Sequence, residues 1–168
     1  MPDVIEELWF KPVIWLVPLC LWWIGRGGKP ELFKGNLLKA VLAGVTIGVV
    51  YWLLIRTLTG KGDGIYLSWA AVSLVTATVE EITFTGVILG ILIERFKSVE
   101  WSLGLVAIAF ALIHLPINLF VYQLKGAVLI GSVLIGTSAA LINGWLRIKT
   151  NNTWSAIIAH FIYLLAAA

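Results

Sequence analysis

Charge is what this sequence has least of: Asp, Glu, Lys and Arg together make up 12% of it, about half the share of an ordinary soluble domain. That excludes a soluble enzyme, a disordered chain and a nucleic-acid-binding protein, each of which needs far more polar surface. Cysteine is nearly absent. The single one, Cys20, excludes an internal disulfide and a thiolate metal cluster. There is no repeat of fixed period. What the chain has instead is apolar mass, 60% of 168 residues, which is more than a soluble fold of this size can bury. The net charge of +3 fits connectors that set orientation in a bilayer. The sequence describes an all-α, polytopic integral membrane protein.

A hydrocarbon core of about 30 Å takes roughly 20 apolar residues per helix. Six runs qualify as candidates, at 8–24, 37–58, 65–93, 101–122, 127–146 and 154–167. Glycine-rich connectors punctuate them, Gly25-Arg26-Gly27-Gly28-Lys29-Pro30 after the first and Gly60-Lys61-Gly62-Asp63-Gly64 after the second. The first run is flanked by Asp3, Glu6 and Glu7 rather than by basic residues, with no small-residue cleavage site behind it, so it is expected to be a retained span. The third is long enough to tilt, or to begin at the interface around Tyr66 and Trp69. The last would extend about 21 Å as a helix, less than the hydrocarbon thickness. Two units are expected within one membrane domain: a pair of helices in residues 1–64 and a four-helix core in residues 65–168.

Basic residues alternate between connectors. Arg26, Lys29, Lys34, Arg95, Lys97, Arg147 and Lys149 fall on one side; Lys11, Lys61 and Lys125 fall on the other, with the acidic N-terminus and Asp63. The richer side is expected to be cytoplasmic, leaving both termini outside the cell membrane. Reporters fused after Arg26, Arg95 and Arg147 should therefore read as cytoplasmic, and those at Lys61 and Lys125 as external. Cytoplasmic labelling at Lys61 would overturn this orientation.

Of the nine acidic residues, seven lie in connectors or at helix ends. Glu80 and Glu81 are adjacent and sit about midway along the third run. An ionisable group at that depth costs about 3 kcal/mol on insertion scales, so the pair implies a hydrated cavity or a polar partner. Both histidines are also intramembrane, His114 in the fourth run and His160 in the sixth. A lone intramembrane His commonly serves as a helix–helix hydrogen-bonding group. An adjacent Glu pair together with every His in the chain is harder to explain as packing. Three helices are expected to converge on one site, with Glu80, His114 and His160 around a shared water. Asn118 lies one turn beyond His114 and either enters the cavity or solvates the helix break at Pro116.

Glu80-Glu81-x-x-Phe84, Phe110-x-x-x-His114 and Asn152-x-Trp154-x-x-Ile157-x-x-His160 together resemble the three-motif pattern of the CPBP family. That family comprises CAAX prenyl endopeptidases, bacteriocin-processing proteins and related glutamic intramembrane proteases. The resemblance runs from about Ser68 to Leu165 and includes the approach from Gly136 through Trp145 to Thr150. It implies that Glu80 is the general base, that His114 orients the water, and that His160 stabilises the oxyanion. Glu81 would support Glu80 or the substrate backbone. No cofactor and no metal are implied.

The pattern departs from the family twice. Thr85 stands where the first motif carries Arg, so Glu81 lacks its usual counter-ion, and Leu164 stands where the last motif carries Asn. Asn118 or Asn143 would have to replace that donor from another helix. The implied activity is an intramembrane peptidase acting on a membrane-associated protein or peptide within the lipid bilayer; nothing in the sequence sets an oligomeric state. Lipidated C-termini, a bacteriocin-like leader and a C-terminal sorting helix all suit it as substrates. CAAX processing fits least comfortably, since few spans or loops are present to form a lipid groove. Two alternatives stand beside it. One is a non-catalytic binding or immunity-type protein using the same cavity. The other is a zinc site made of both glutamates and both histidines, although no His-Glu-x-x-His motif is present.

Overall fold

The computed structural model describes residues 5–26, 31–60 and 69–167. One π-helical turn, Glu6–Phe10, leads into α1, Lys11–Arg26. Helix α2 spans Leu37–Thr59. Helix α3 spans Ala70–Phe96 and contains a π-helical stretch, Ile82–Ile88, in its middle. Helix α4, Val99–Pro116, ends in a second π turn, Ile117–Val121. Helices α5, Gly126–Thr150, and α6, Trp154–Ala167, complete the bundle. Five of these are long and apolar enough to cross a membrane; α6, with 14 residues, is the shorter exception. The start of the third apolar run, including Tyr66, lies outside the described residues, and within them this helix begins at Ala70.

Local chemistry sets the helix ends. The Asn36 side chain accepts from the Lys39 N–H at 2.9 Å, and Ser98 caps α4 by accepting from Trp101 N–H. Lys97 and Asn151 close α3 and α5 with left-handed backbone. Pro116, which cannot donate to the carbonyl four residues before it, stands where α4 passes from α-helical to π-helical hydrogen bonding.

Helix α3 is the centre of the bundle: 61% of its apolar window is buried, against none of the window of α1. The most extensive helix–helix contact joins α2 to α6, so packing runs straight across position 64. Glycine makes it close. A Cβ on Gly44 would lie 2.6 Å from the Ser155 carbonyl oxygen, and one on Gly48 would lie 2.6 Å from Ile162 Cδ1. Lipid tails offer no hydrophobic drive between helices, so this close backbone approach is what holds them.

Residues 31–36 clasp the turn between α5 and α6. The Thr153 N–H and hydroxyl both donate to the Leu32 carbonyl at 2.8 Å, and the Gly35 N–H donates to Asn151 O at 2.8 Å. Asn152 donates to Gly35 O and accepts from the Trp154 N–H, each at 3.0 Å. Asn152 and Trp154 of the third motif thus fix where α6 begins, and with it the depth of His160.

Candidate active site

Neighbouring residues on a helix point about 100° apart, so Glu80 and Glu81 face different partners from the same turn of α3. Both are buried, at 2% and 1% exposure. The π-helical stretch starts directly after them; such insertions are frequent at functional sites.

Glu80 faces a cavity of about 790 Å³ lined by residues of all six helices, α2 contributing Tyr51. Nε2 of His114 stands 3.7 Å from its Oε1, and Nε2 of His160 stands 3.7 Å from its Oε2. The structure thus brings Glu80, His114 and His160 together. The ring of His114 is fixed from behind, because Nδ1 lies 2.8 Å from the Phe110 carbonyl oxygen. A carbonyl only accepts, so Nδ1 carries the hydrogen and Nε2 faces Glu80.

Glu81 does not line the cavity itself but bonds residues that do. Asn143 Nδ2 donates to its Oε1 at 2.7 Å, and His160 Nδ1 bonds the same oxygen at 2.8 Å. The Tyr51 hydroxyl donates to Asn143 Oδ1 at 3.2 Å. His160 therefore bridges the two glutamates, one ring nitrogen toward each. Thr85 brings no charge to Glu81 but bonds it: its Oγ1 lies 2.9 Å from both Glu81 O and Glu81 Oε2.

An aromatic chain supports the polar groups. Phe110 contacts the His114 ring at 4.7 Å and the His160 ring at 6.0 Å between centroids, and packs edge-on against Phe84 at 5.2 Å. Phe84 and Phe110 of the motifs are thus the apolar wall against which both imidazoles are held.

Asn118 is buried and lines the same cavity, but its amide donates to Ser132 Oγ at 3.0 Å, across α4 and α5, rather than joining the carboxylates. Three residues join the site that the motifs do not place there. The sequence offers Asn143 only as a substitute donor, and it carries no signal at all for Tyr51. Charge alternation puts Lys11 at the outer rim, yet its Nζ reaches Glu80 Oε1 at 2.7 Å. The signal for Lys11 is its place just inside the first apolar run, where a cation needs a partner. Its four-carbon stem carries the ammonium inward from the start of α1.

Among the described residues, no group of three or more His, Cys, Asp and Glu side chains has the arrangement of a metal site. No curated protein and no solved structure matches the chain. A family model described as type II CAAX prenyl endopeptidase Rce1-like matches residues 62–166, which spans all three motifs and every helix from α3 to α6. With its apolar helices and a family match that covers well over half of its length, the chain belongs to the Rce1-like CAAX endopeptidases of the CPBP group, membrane-embedded proteases.

Proposed function

We propose that the protein is a peptidase that hydrolyses a peptide bond of a membrane-associated protein or peptide, with a water activated by Glu80 and no metal. The observation that carries this reading is the pair of 3.7 Å separations around Glu80. Atoms that far apart do not bond each other well, but both can bond one water set to the side at about 2.8 Å from each. Glu80 takes the proton of that water while His114 Nε2 orients it. The ring nitrogen of His160 turned toward Glu80 stands beside the place where negative charge develops, and a proton there makes it an oxyanion donor. The substrate class named by the family is a prenylated C-terminus, the one that suits the sequence least. A cavity lined largely by apolar side chains between α4 and α5 supports an apolar segment as part of the substrate. The basic connectors support an orientation with both ends outside, in the cell membrane proposed for this chain.

A second reading is favoured by one contact. The Lys11 ammonium sits on the base itself, as it would in a non-catalytic protein that uses the cavity to hold a peptide.

The test is cleavage of a library of fluorescently tagged, apolar single-helix peptides by the purified protein, in wild-type form and with Glu80→Gln and Glu81→Gln. The two substitutions should differ sharply. Thr85 has one hydroxyl hydrogen and two oxygens of Glu81 within 2.9 Å. If it donates to the backbone oxygen, Glu81 Oε2 must itself donate, as a carboxylic acid does and a glutamine amide does equally well. The remaining oxygen of Gln still accepts from Asn143. Glu81→Gln is therefore expected to keep most activity, whereas Glu80→Gln, which cannot take a proton, should lose about 10²–10⁴ in rate. Equal losses would show that the glutamates do not divide the work this way, and no cleavage by the wild-type protein would favour the binding reading.

A further inference from the structure

We infer that Lys11 is a catalytic residue that carries positive charge from the base to the oxyanion, an inference that rests on the peptidase reading above. The ammonium is built into the site. It bonds Glu80 Oε1 at 2.7 Å, its side chain is 13% exposed, and it lines the cavity. It also lies 5.7 Å from the centroid of the Trp15 ring, one helical turn along α1, and Trp15 packs edge-on against Phe84 of α3 at 5.6 Å. A cation anchored by its own helix and by α3 is positioned, not merely accommodated.

The site has need of such a donor. Leu164 occupies the position at which the resemblance calls for an amide, and its side chain reaches the cavity without one. Both asparagines available as a replacement line the cavity with one amide hydrogen already committed, that of Asn143 to Glu81 and that of Asn118 to Ser132, whereas the Lys11 ammonium has three hydrogens to give. Lys11 and the Nε2 of His114 meet at the same oxygen of Glu80. The carbonyl attacked by a water held there has its oxygen within reach of Nζ.

The charge moves in step with the reaction. When the water oxygen bonds to the carbonyl carbon, one water proton passes to Glu80 and the carbonyl oxygen takes the electron pair of the broken π bond. Glu80 becomes neutral, so its hold on the ammonium weakens just as an oxyanion appears beside it. The ammonium shifts its hydrogen bond to that oxyanion. On collapse the carbonyl reforms, the C–N bond breaks, and Glu80 returns its proton to the leaving nitrogen. The new acid gives its remaining proton to the amine, and Lys11 returns to the regenerated carboxylate. No other reactant is required. The interaction with substrate is thus made in the transition state and not in the ground state, which is the condition for raising rate.

The experiment compares Lys11→Met and Lys11→Arg with the wild-type protein on an apolar peptide of about 20 residues bearing a fluorophore and a quencher. Lys11→Met should lower kcat by about 10²–10³-fold with KM little changed. Lys11→Arg, which keeps the charge and shows that the site still folds, should recover most of the loss. Thermal unfolding of Lys11→Met in the same detergent separates a chemical loss from an unfolded helix. A kcat for Lys11→Met equal to or above wild type would overturn the inference, the higher value marking the lysine as a plug. A rise in KM alone would also overturn it. If Glu80→Gln is inactive while Lys11→Met is not, this inference fails and the peptidase reading survives. If cleavage does not depend on Glu80, or no peptide is cleaved at all, both fall.

Discussion

Turnover should collapse in Glu80→Ala and in His114→Ala, by about 10²–10⁴ each, with the protein still folded, and a chelator should leave the wild-type rate unchanged. The expectation follows from which group makes the water nucleophilic. In the structure the oxygens of Glu80 face His114, His160 and the Lys11 ammonium. If the carboxylate itself removes the proton, no divalent cation is needed to acidify the water. Glu80→Ala also strips Lys11 of its carboxylate, so Glu80→Gln, which keeps the shape and a hydrogen-bond acceptor, belongs beside it. If His160 is the oxyanion donor proposed above, His160→Ala should lower the maximal rate with little change in the half-saturating concentration, because such a contact strengthens as charge develops. Under a zinc mechanism the pattern inverts: chelation abolishes turnover and added zinc restores it. Stoichiometric zinc with chelator-sensitive activity would sink the glutamic mechanism, and intact activity in Glu80→Ala would sink it equally.

Gly44→Leu is expected to lower both stability and activity from a position that touches no catalytic group. Its Cβ would stand 2.6 Å from the Ser155 carbonyl oxygen and 3.0 Å from Ile158 Cβ, and backbone cannot yield as a flexible side chain does. Overpacking of this kind costs about 1–3 kcal/mol. The strain falls on the largest interface in the bundle, between α2 and α6. Because α6 carries His160, pushing the two helices apart also draws the imidazole from Glu81, to which it bonds at 2.8 Å, and from Glu80. Unfolding in detergent should show lower stability, and peptide turnover should fall with it. Gly104 is the control: a Cβ there meets nothing within 4 Å, so Gly104→Ala should leave both measurements near wild type. A stable, active Gly44→Leu would show that the α2–α6 contact does not position the site.

The two outcomes bear on different levels of the molecule, and the sequence makes them visible to different degrees. The helices are legible because a bilayer core admits few alternatives to long apolar helices whose backbone groups bond internally. The limits of that legibility lie at α6. Fourteen residues suffice there because its start is pinned by residues 31–36 rather than by a second membrane boundary, and contacts of that range leave no local pattern. The π-helical stretch Ile82–Ile88 is equally invisible, since its residues show the same apolar character as the turns around them.

Glu80, Glu81, His114 and His160 stand out from the amino-acid sequence alone because low dielectric makes each ionisable side chain costly, so its presence demands a reason. Their partners are another matter. Lys11 meets Glu80 across 69 positions and Asn143 meets Glu81 across 62; Tyr51 meets Asn143 across 92. The loss of Arg at position 85 reads as a missing counter-ion, whereas the folded chain surrounds Glu81 with Thr85, Asn143 and His160 and brings a cation to Glu80 instead. Composition and periodicity determined that this chain lies in a membrane as helices with four costly side chains inside it. Which oxygen of which carboxylate each neighbour holds was decided by tertiary packing alone, because a hydrogen bond depends on tenths of an ångström between helices and a sequence records only which groups are available to meet.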